Sequence, residues 1–165
     1  MTDLSLTLSP LTPADMPAIE KLDERAFGPG RFALSAYRLR EGVSPDPDLS
    51  FVAHVGTLLV GANRMTAIAC GGKPALLLGP LTVDPAFRSR GIGEALMGKS
   101  MEAARNGGHK LVILVGDEPY YRRVGFKRAP QGRLTMPGPV DPARLLYCEL
   151  TEGAFEGVAG AITRA

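Results

Sequence analysis

Little in this chain could serve nucleophilic or metal chemistry, since its 165 residues include only two cysteines and two histidines. Cys70 and Cys148 lie far apart in strand-like runs without metal-type spacing, which reads as two buried, reduced thiols rather than metal ligands or a disulfide. No metal site is expected. Two histidines also leave no convincing Ser-His-Asp constellation, so covalent acyl-enzyme chemistry is disfavoured. No apolar run approaches the ~18–20 residues of a membrane span, and Met1-Thr2-Asp3-Leu4-Ser5 has neither the basic start nor the apolar stretch of a signal peptide. A cytoplasmic location is expected. A net charge of +2, with no long basic block, argues against nucleic acid as the main partner. What is present, 45% hydrophobic residues, suits one globular domain over residues 1–165.

Along the chain, Leu4 to Leu8 alternates as a half-buried strand does. Thr12-Pro13-Ala14-Asp15 then supplies a helix start, with Met16, Ile19, Leu22 and Ala26 at helical spacing up to Gly28-Pro29-Gly30. A second, shorter helical pattern covers Phe32 to Leu39, and Ser44 to Asp48 is a loop by composition. Three strands, Phe51 to Val55, Leu58 to Cys70 and Ala75 to Val83, are joined by turns short enough for an antiparallel meander. Proline cannot donate to a ladder, so Gly79-Pro80 inside the third predicts a bulge or a splayed edge. A helix follows Gly93 and ends at Asn106-Gly107-Gly108. The aliphatic run Leu111 to Val115 then fits a strand buried on both faces, which makes a β-α-β unit. Beyond it come a short helix, a long loop over Arg128 to Ala143, a last strand Leu145 to Leu150, and a tail from Thr151 expected only to form a short packed extension.

The junction Leu81 to Leu96 is where chemistry concentrates. A strand-like run ends at Val83-Asp84-Pro85, a basic turn carries Arg88 and Arg90, and Gly91 and Gly93 open the helix. Glycines there let a ligand approach the backbone, and unpaired amides at the positive end of the helix dipole suit a phosphate. Spacing separates the candidates. A dinucleotide fingerprint needs glycine where Leu96 stands, and a Walker loop needs Gly-Lys-Ser/Thr where Gly93-Glu94-Ala95 stands. The plain alternative is a tight strand-to-helix turn with solvated arginines.

What fits is Arg88-x-x-Gly91-x-Gly93, which resembles the acetyl-coenzyme A signature of the GCN5-related N-acetyltransferases (GNAT). Tyr121-x-x-x-Gly125-Phe126, some thirty residues on, matches the tyrosine and Gly-Phe pair after that family's fifth strand. The Gly-Pro-Leu-x-Val-x-Pro strand and the Tyr120-Tyr121 pair are most similar to its YhbS-like branch. The resemblance implies a mixed, mostly antiparallel α/β sheet of about six or seven strands with a splayed parallel pair and flanking helices. It implies direct acetyl transfer from acetyl-coenzyme A to a primary amine. The acceptor would be a small molecule or a peptide, with neither nucleic acid nor membrane involved and homodimerisation left open.

On the same basis, Leu81 N–H would polarise the thioester carbonyl and the Val83 backbone would pair with pantetheine. Arg88 and the segment Ser89, Arg90, Gly91, Ile92, Gly93 and Glu94 would hold the pyrophosphate. Tyr121 would protonate the leaving thiolate, whereas a packing tyrosine with a bonded hydroxyl is the plain reading of that residue. Tyr120 receives no role. Asp23, Glu24, Arg31 and Tyr37 border the implied acceptor site, with surface solvation as their alternative. An alkylamine is free base in about one molecule in 2,500 at pH 7, a penalty near 4.6 kcal/mol, so a base or a water relay is needed. His54 and Glu24 are the candidates. The rival readings are a non-catalytic acyl-coenzyme A binding module and a nucleotide-binding module.

Overall fold

The structure, a computed structural model, describes residues 5–28 and 35–165. In chain order the described elements are β1 (Leu6–Pro10), α1 (Met16–Phe27), α2 (Ser35–Arg40), β2 (Phe51–Val55), β3 (Leu58–Cys70) and β4 (Lys73–Val83). They continue with α3 (Ile92–Asn106), β5 (Leu111–Val115), α4 (Glu118–Arg122), β6 (Lys127–Arg128), β7 (Leu134–Thr135), β8 (Leu145–Glu149) and β9 (Gly160–Arg164). The sheet runs β1-β2-β3-β4-β5-β8-β6, with β9 on β3 and β7 on β9. The β2–β4 meander is antiparallel as expected, and β4-α3-β5 is the β-α-β unit.

The parallel pairing of β4 with β5 is confined to Leu76 with Val112 and Leu77 with Ile113. Beyond Leu77, β4 continues to Val83 without β5, so the two strands part and leave a notch. Gly79-Pro80, joined by a cis peptide, lies where they part. On the β3 side the register slips there, Met65 facing Leu78 and Asn63 facing Leu81, so Arg64 alone stands opposite Gly79 and Pro80. The irregularity expected from proline is present at that position.

Alternation assigns the faces. In β5, Leu111 and Ile113 join one buried cluster with Leu77, Leu39 and Ile162, whereas Val112 and Leu114 join another with Met97, Met101 and Phe126. A strand buried on both faces is thus what the unbroken aliphatic run encodes. In β2, Val52 packs under Ile19 and Leu22 of α1, while its neighbour Ala53 packs under Ile92 and Leu96 of α3. Full burial of each such aliphatic side chain contributes about 1.5–3 kcal/mol, which fixes α3 against the sheet at the notch. A buried hydrogen bond from the Asn63 side-chain amide to Ser100 Oγ, 2.9 Å, adds a polar tie between β3 and α3.

Two expectations are corrected. The tail does more than pack: β9 pairs Ile162, Thr163 and Arg164 with Cys70, Ala69 and Ile68 of β3. Only Ile162 of its five residues is buried, so it carries little hydrophobic periodicity. The Pro- and Gly-rich stretch after Arg128 contains β7, two residues long and parallel to β9. The described strands therefore number nine, not six or seven. The second helical pattern begins within residues 29–34, which lie outside the described residues; α2 covers its later part. No described helix is long and apolar enough to cross a membrane.

Candidate active site

The turn before α3 is a cluster of unused donors. Ser89 and Gly91 both take left-handed backbone, with φ of 64° and 77°. Gly91 is the helix cap and offers no side-chain acceptor. Among the described residues, no amide from Arg88 to Glu94 donates to a backbone carbonyl before Ala95 N–H reaches Gly91 O at 3.0 Å. Alternating left-handed turns with free N–H groups form an anion-binding concavity, strengthened by the positive end of a fifteen-residue helix. The Arg88, Ser89, Gly91, Ile92, Gly93 and Glu94 positions line a groove of about 590 Å³ that runs on to Val83, Leu81, Tyr120 and Tyr121. Arg90 stands apart from that lining, with its guanidinium 5.3 Å from the Phe87 ring centroid.

Gly93 is needed for close approach. A Cβ there would lie 3.0 Å from the Tyr120 hydroxyl and 3.7 Å from the side chains of both Leu81 and Val83. Leu81 and Val83 alternate with Thr82, so the first two face the start of α3 and Thr82 faces α1.

Tyr121 is placed by its own motif. Its amide donates to Asp117 O and its carbonyl accepts from both Val124 and Phe126, a reversal completed by Gly125 at φ 99°. Phe126 is fully buried and anchors that reversal, its ring 5.9 Å from that of Tyr121. The Tyr121 ring lies against Gly116, where a Cβ would be 2.5 Å from Cε2. Burial pushes its hydroxyl up to about 12; the neighbouring Tyr120 and Asp117 push the same way and Arg144 opposes them. Tyr120, which received no role from the sequence, lines both this groove and a second cavity. Because α4 is a single turn across the mouth of the notch, both rings reach it, meeting edge to face at 4.9 Å. The Arg123 guanidinium covers the Tyr120 ring at 5.1 Å and pairs with Glu94 of α3.

A second cavity, about 900 Å³, opens at the splay and is lined by Leu78, Gly79, Pro80 and Leu81, by Val115 to Asp117, and again by Tyr120 and Tyr121. Residues Leu81, Tyr120, Tyr121 and Phe27 belong to both cavities. Its lining includes Asp23, one of the residues the sequence placed beside the acceptor site, in a polar group with Arg64 and Thr82 that the sequence did not reveal. Buried Asp23 of α1 accepts from Thr82 Oγ1 at 2.7 Å with one carboxylate oxygen and pairs with Arg64 through the other. Tyr37 also lines this cavity. His54 and Glu24 line neither cavity, and Arg31 lies outside the described residues. Cys70 and Cys148 are buried and unpaired with each other; burial pushes the Cys70 thiol up to about 11 and raises that of Cys148 as well.

Comparison with known proteins agrees with this geometry. A family model, the acetyltransferase (GNAT) domain, matches residues 46–128, which span the meander, the amide-rich turn and the Tyr-Gly-Phe reversal. The chain is 31% identical over 118 residues to the uncharacterized N-acetyltransferase YjhQ of Escherichia coli, covering 69% of this chain and 65% of that one. Against an uncharacterized Mycobacterium leprae protein, ML0378, it is 29% identical and spans 35% of the relative's length. Among solved structures, the YhbS GNAT N-acetyltransferase of Escherichia coli in complex with CoA superposes with a TM-score of 0.84 at 24% identity, over all of this chain and 92% of that one. A Brucella melitensis GNAT acetyltransferase in complex with acetyl-CoA gives 0.65 at 26% identity, over 93% and 100% of the two chains. With the domain model matching half its length and the splayed sheet in place, the chain belongs to the GNAT acetyltransferase family.

Proposed function

We propose that the chain is a cytoplasmic N-acetyltransferase, acting as one domain, which moves acetyl from acetyl-coenzyme A directly to a primary amine. The observation that carries this reading is that the two cavities meet at Leu81, Tyr120 and Tyr121, so a donor in one and an acceptor in the other would react there. The thioester supplies an activated acyl carbon; its C–S bond breaks as C–N forms, the amine loses a proton and the sulfur gains one.

The chain's part is binding, polarisation and placing of protons. The free amides between Arg88 and Glu94, with the Arg88 guanidinium, suit a pyrophosphate; each charge-assisted contact is worth more than a neutral one. The Val83 backbone would hold the pantetheine arm along the splayed part of β4. Leu81 N–H would polarise the carbonyl, and the Tyr121 hydroxyl would donate to the sulfur as negative charge develops on it. Direct transfer is supported by the two thiols, both buried and raised towards the protonated form, a poor state for an acyl-accepting nucleophile.

The test is thiol release from acetyl-coenzyme A over a panel of amines, with mass detection of the acetylated product. Acetylated amine formed in step with thiol supports the reading. Tight coenzyme A binding with no amine acetylated would make the chain an acyl-coenzyme A binding module.

A further inference from the structure

The cavity of about 900 Å³ carries charges of both signs. Its acids Glu20, Glu41, Asp117 and Asp141 are exposed, as is Arg144, whereas Arg40 and Arg64 are half-buried. Both oxygens of Asp23, the one buried carboxylate among the described residues, are already engaged by Thr82 and Arg64. Two guanidinium groups thus share a single occupied counter-charge. Arg64 Nε is buried and bonded to nothing, although this arginine is only 14% exposed in its side chain. Arg40, at the end of α2, makes no side-chain hydrogen bond or ion pair among the described residues. Burial lowers its guanidinium to about 10, Arg64 acts in the same sense, and Asp23 and Tyr37 oppose. An unpaired guanidinium carries up to five donors and strongly prefers a planar oxyanion.

Position gives these donors a purpose. Arg64 is the residue facing Gly79 and Pro80 across the register slip, one place from the Asn63 that pairs with Leu81. An anion held there sits beside the point where the two cavities meet.

We propose, resting on the acetyltransferase reading above, that the acceptor is an amine that also carries a carboxylate, an amino-acid-type substrate whose carboxylate is clamped by Arg40 and Arg64. The ammonium end would face the shared junction, drawn by the exposed acids of the lining. Polyamines and amino sugars offer no group for the arginines and would leave them desolvated and unpaired.

The experiment compares amino acids with their α-amides and decarboxylated amines as acceptors, in the full chain with acetyl-coenzyme A. The carboxylated member of each pair should show kcat/KM at least 100-fold higher. Arg40→Gln should erase most of that ratio, chiefly through KM of the acceptor, with the coenzyme A dissociation constant within twofold, and Arg40→Lys should restore part of it. Neutral or polycationic amines turned over as well as carboxylated ones, or Arg40→Gln lowering acid and amide alike, would overturn the proposal and leave the acetyltransferase reading intact. If no amine is acetylated, that reading fails instead, and calorimetry of N-acetylalanine against N-acetylalaninamide on the coenzyme A-loaded chain decides the anion site separately. Arg40-dependent binding of the acid alone supports the site; equal or absent binding of both overturns it.

Discussion

Replacing Tyr121 by phenylalanine keeps the ring against Gly116 and Phe126 and removes only the proton, so the structure allows the effect to be sized. Burial holds the hydroxyl near 12, whereas a thiol ionises near ~8.5 in water. Completed proton transfer to a thiolate would therefore run uphill by several pK units, or about 5 kcal/mol. The hydroxyl is better suited to donating a hydrogen bond to the developing thiolate, an interaction worth about 1.5–3 kcal/mol when one partner is charged. Tyr121→Phe should then lower kcat by about 10- to 150-fold, short of the upper part of the ~10²–10⁴ range for general acid catalysis. The Michaelis constant for acetyl-coenzyme A should change little. Single-turnover rates of both forms, measured from pH 7 to 10.5, check this. The wild-type profile should show no alkaline fall assignable to Tyr121, since a group near 12 stays protonated throughout. Unchanged kcat in the variant, or a loss above 10³-fold with an alkaline limb near pH 9 present only in the wild type, would refute the reasoning.

Other outcomes follow from the same contacts. Coenzyme A at a hundred times its dissociation constant should stabilise the fold by about 2.7 kcal/mol, read as a rise in thermal midpoint that ATP does not match. Gly93→Val places a side chain where a Cβ already comes within 3.0 Å of the Tyr120 hydroxyl, so coenzyme A affinity should fall at least tenfold; lower stability with affinity intact would reduce the glycine to a turn former. Asp23→Ala strands the largely covered Arg64 without its counter-charge and should cost about 3–5 kcal/mol in urea unfolding, whereas a loss under ~1 kcal/mol would show the pair to be solvent-screened. Tyr121 has a folded pKa raised above the unfolded ~10, so its stabilising contribution is complete below pH 10 and is lost as pH rises through about 12. The wild-type chain should lose up to about 3 kcal/mol more than Tyr121→Phe over that window, and parallel curves would contradict the burial of the hydroxyl.

Local patterns made much of this legible in the sequence, and long-range pairings did not. The run Leu111 to Val115 announced a strand buried on both faces because every position is aliphatic, and Gly79-Pro80 announced an irregularity because proline lacks a donor. Tyr121, Gly125 and Phe126 were readable through the family resemblance, and the structure joins them in one reversal that keeps their spacing. Tyr120 escaped because neighbours on a long helix diverge by ~100°, whereas α4 is a single turn lying across the notch. Asp23 was named as a candidate, but its pairing escaped for another reason: its partners Arg64 and Thr82 stand 41 and 59 residues away, and only the packing of α1 on β3 and β4 brings them together. β9 has one buried side chain, too few to register as alternation.

The central claim is that the free amides before α3 and the splayed end of β4 form one cofactor groove. Backbone ¹⁵N–¹H spectra recorded while acetyl-coenzyme A is titrated test it most directly. The account predicts the largest shifts at Leu81, Val83 and the amides from Arg88 to Glu94, saturating together with a single dissociation constant. Saturation with those amides unmoved and the shifts clustered elsewhere would contradict it.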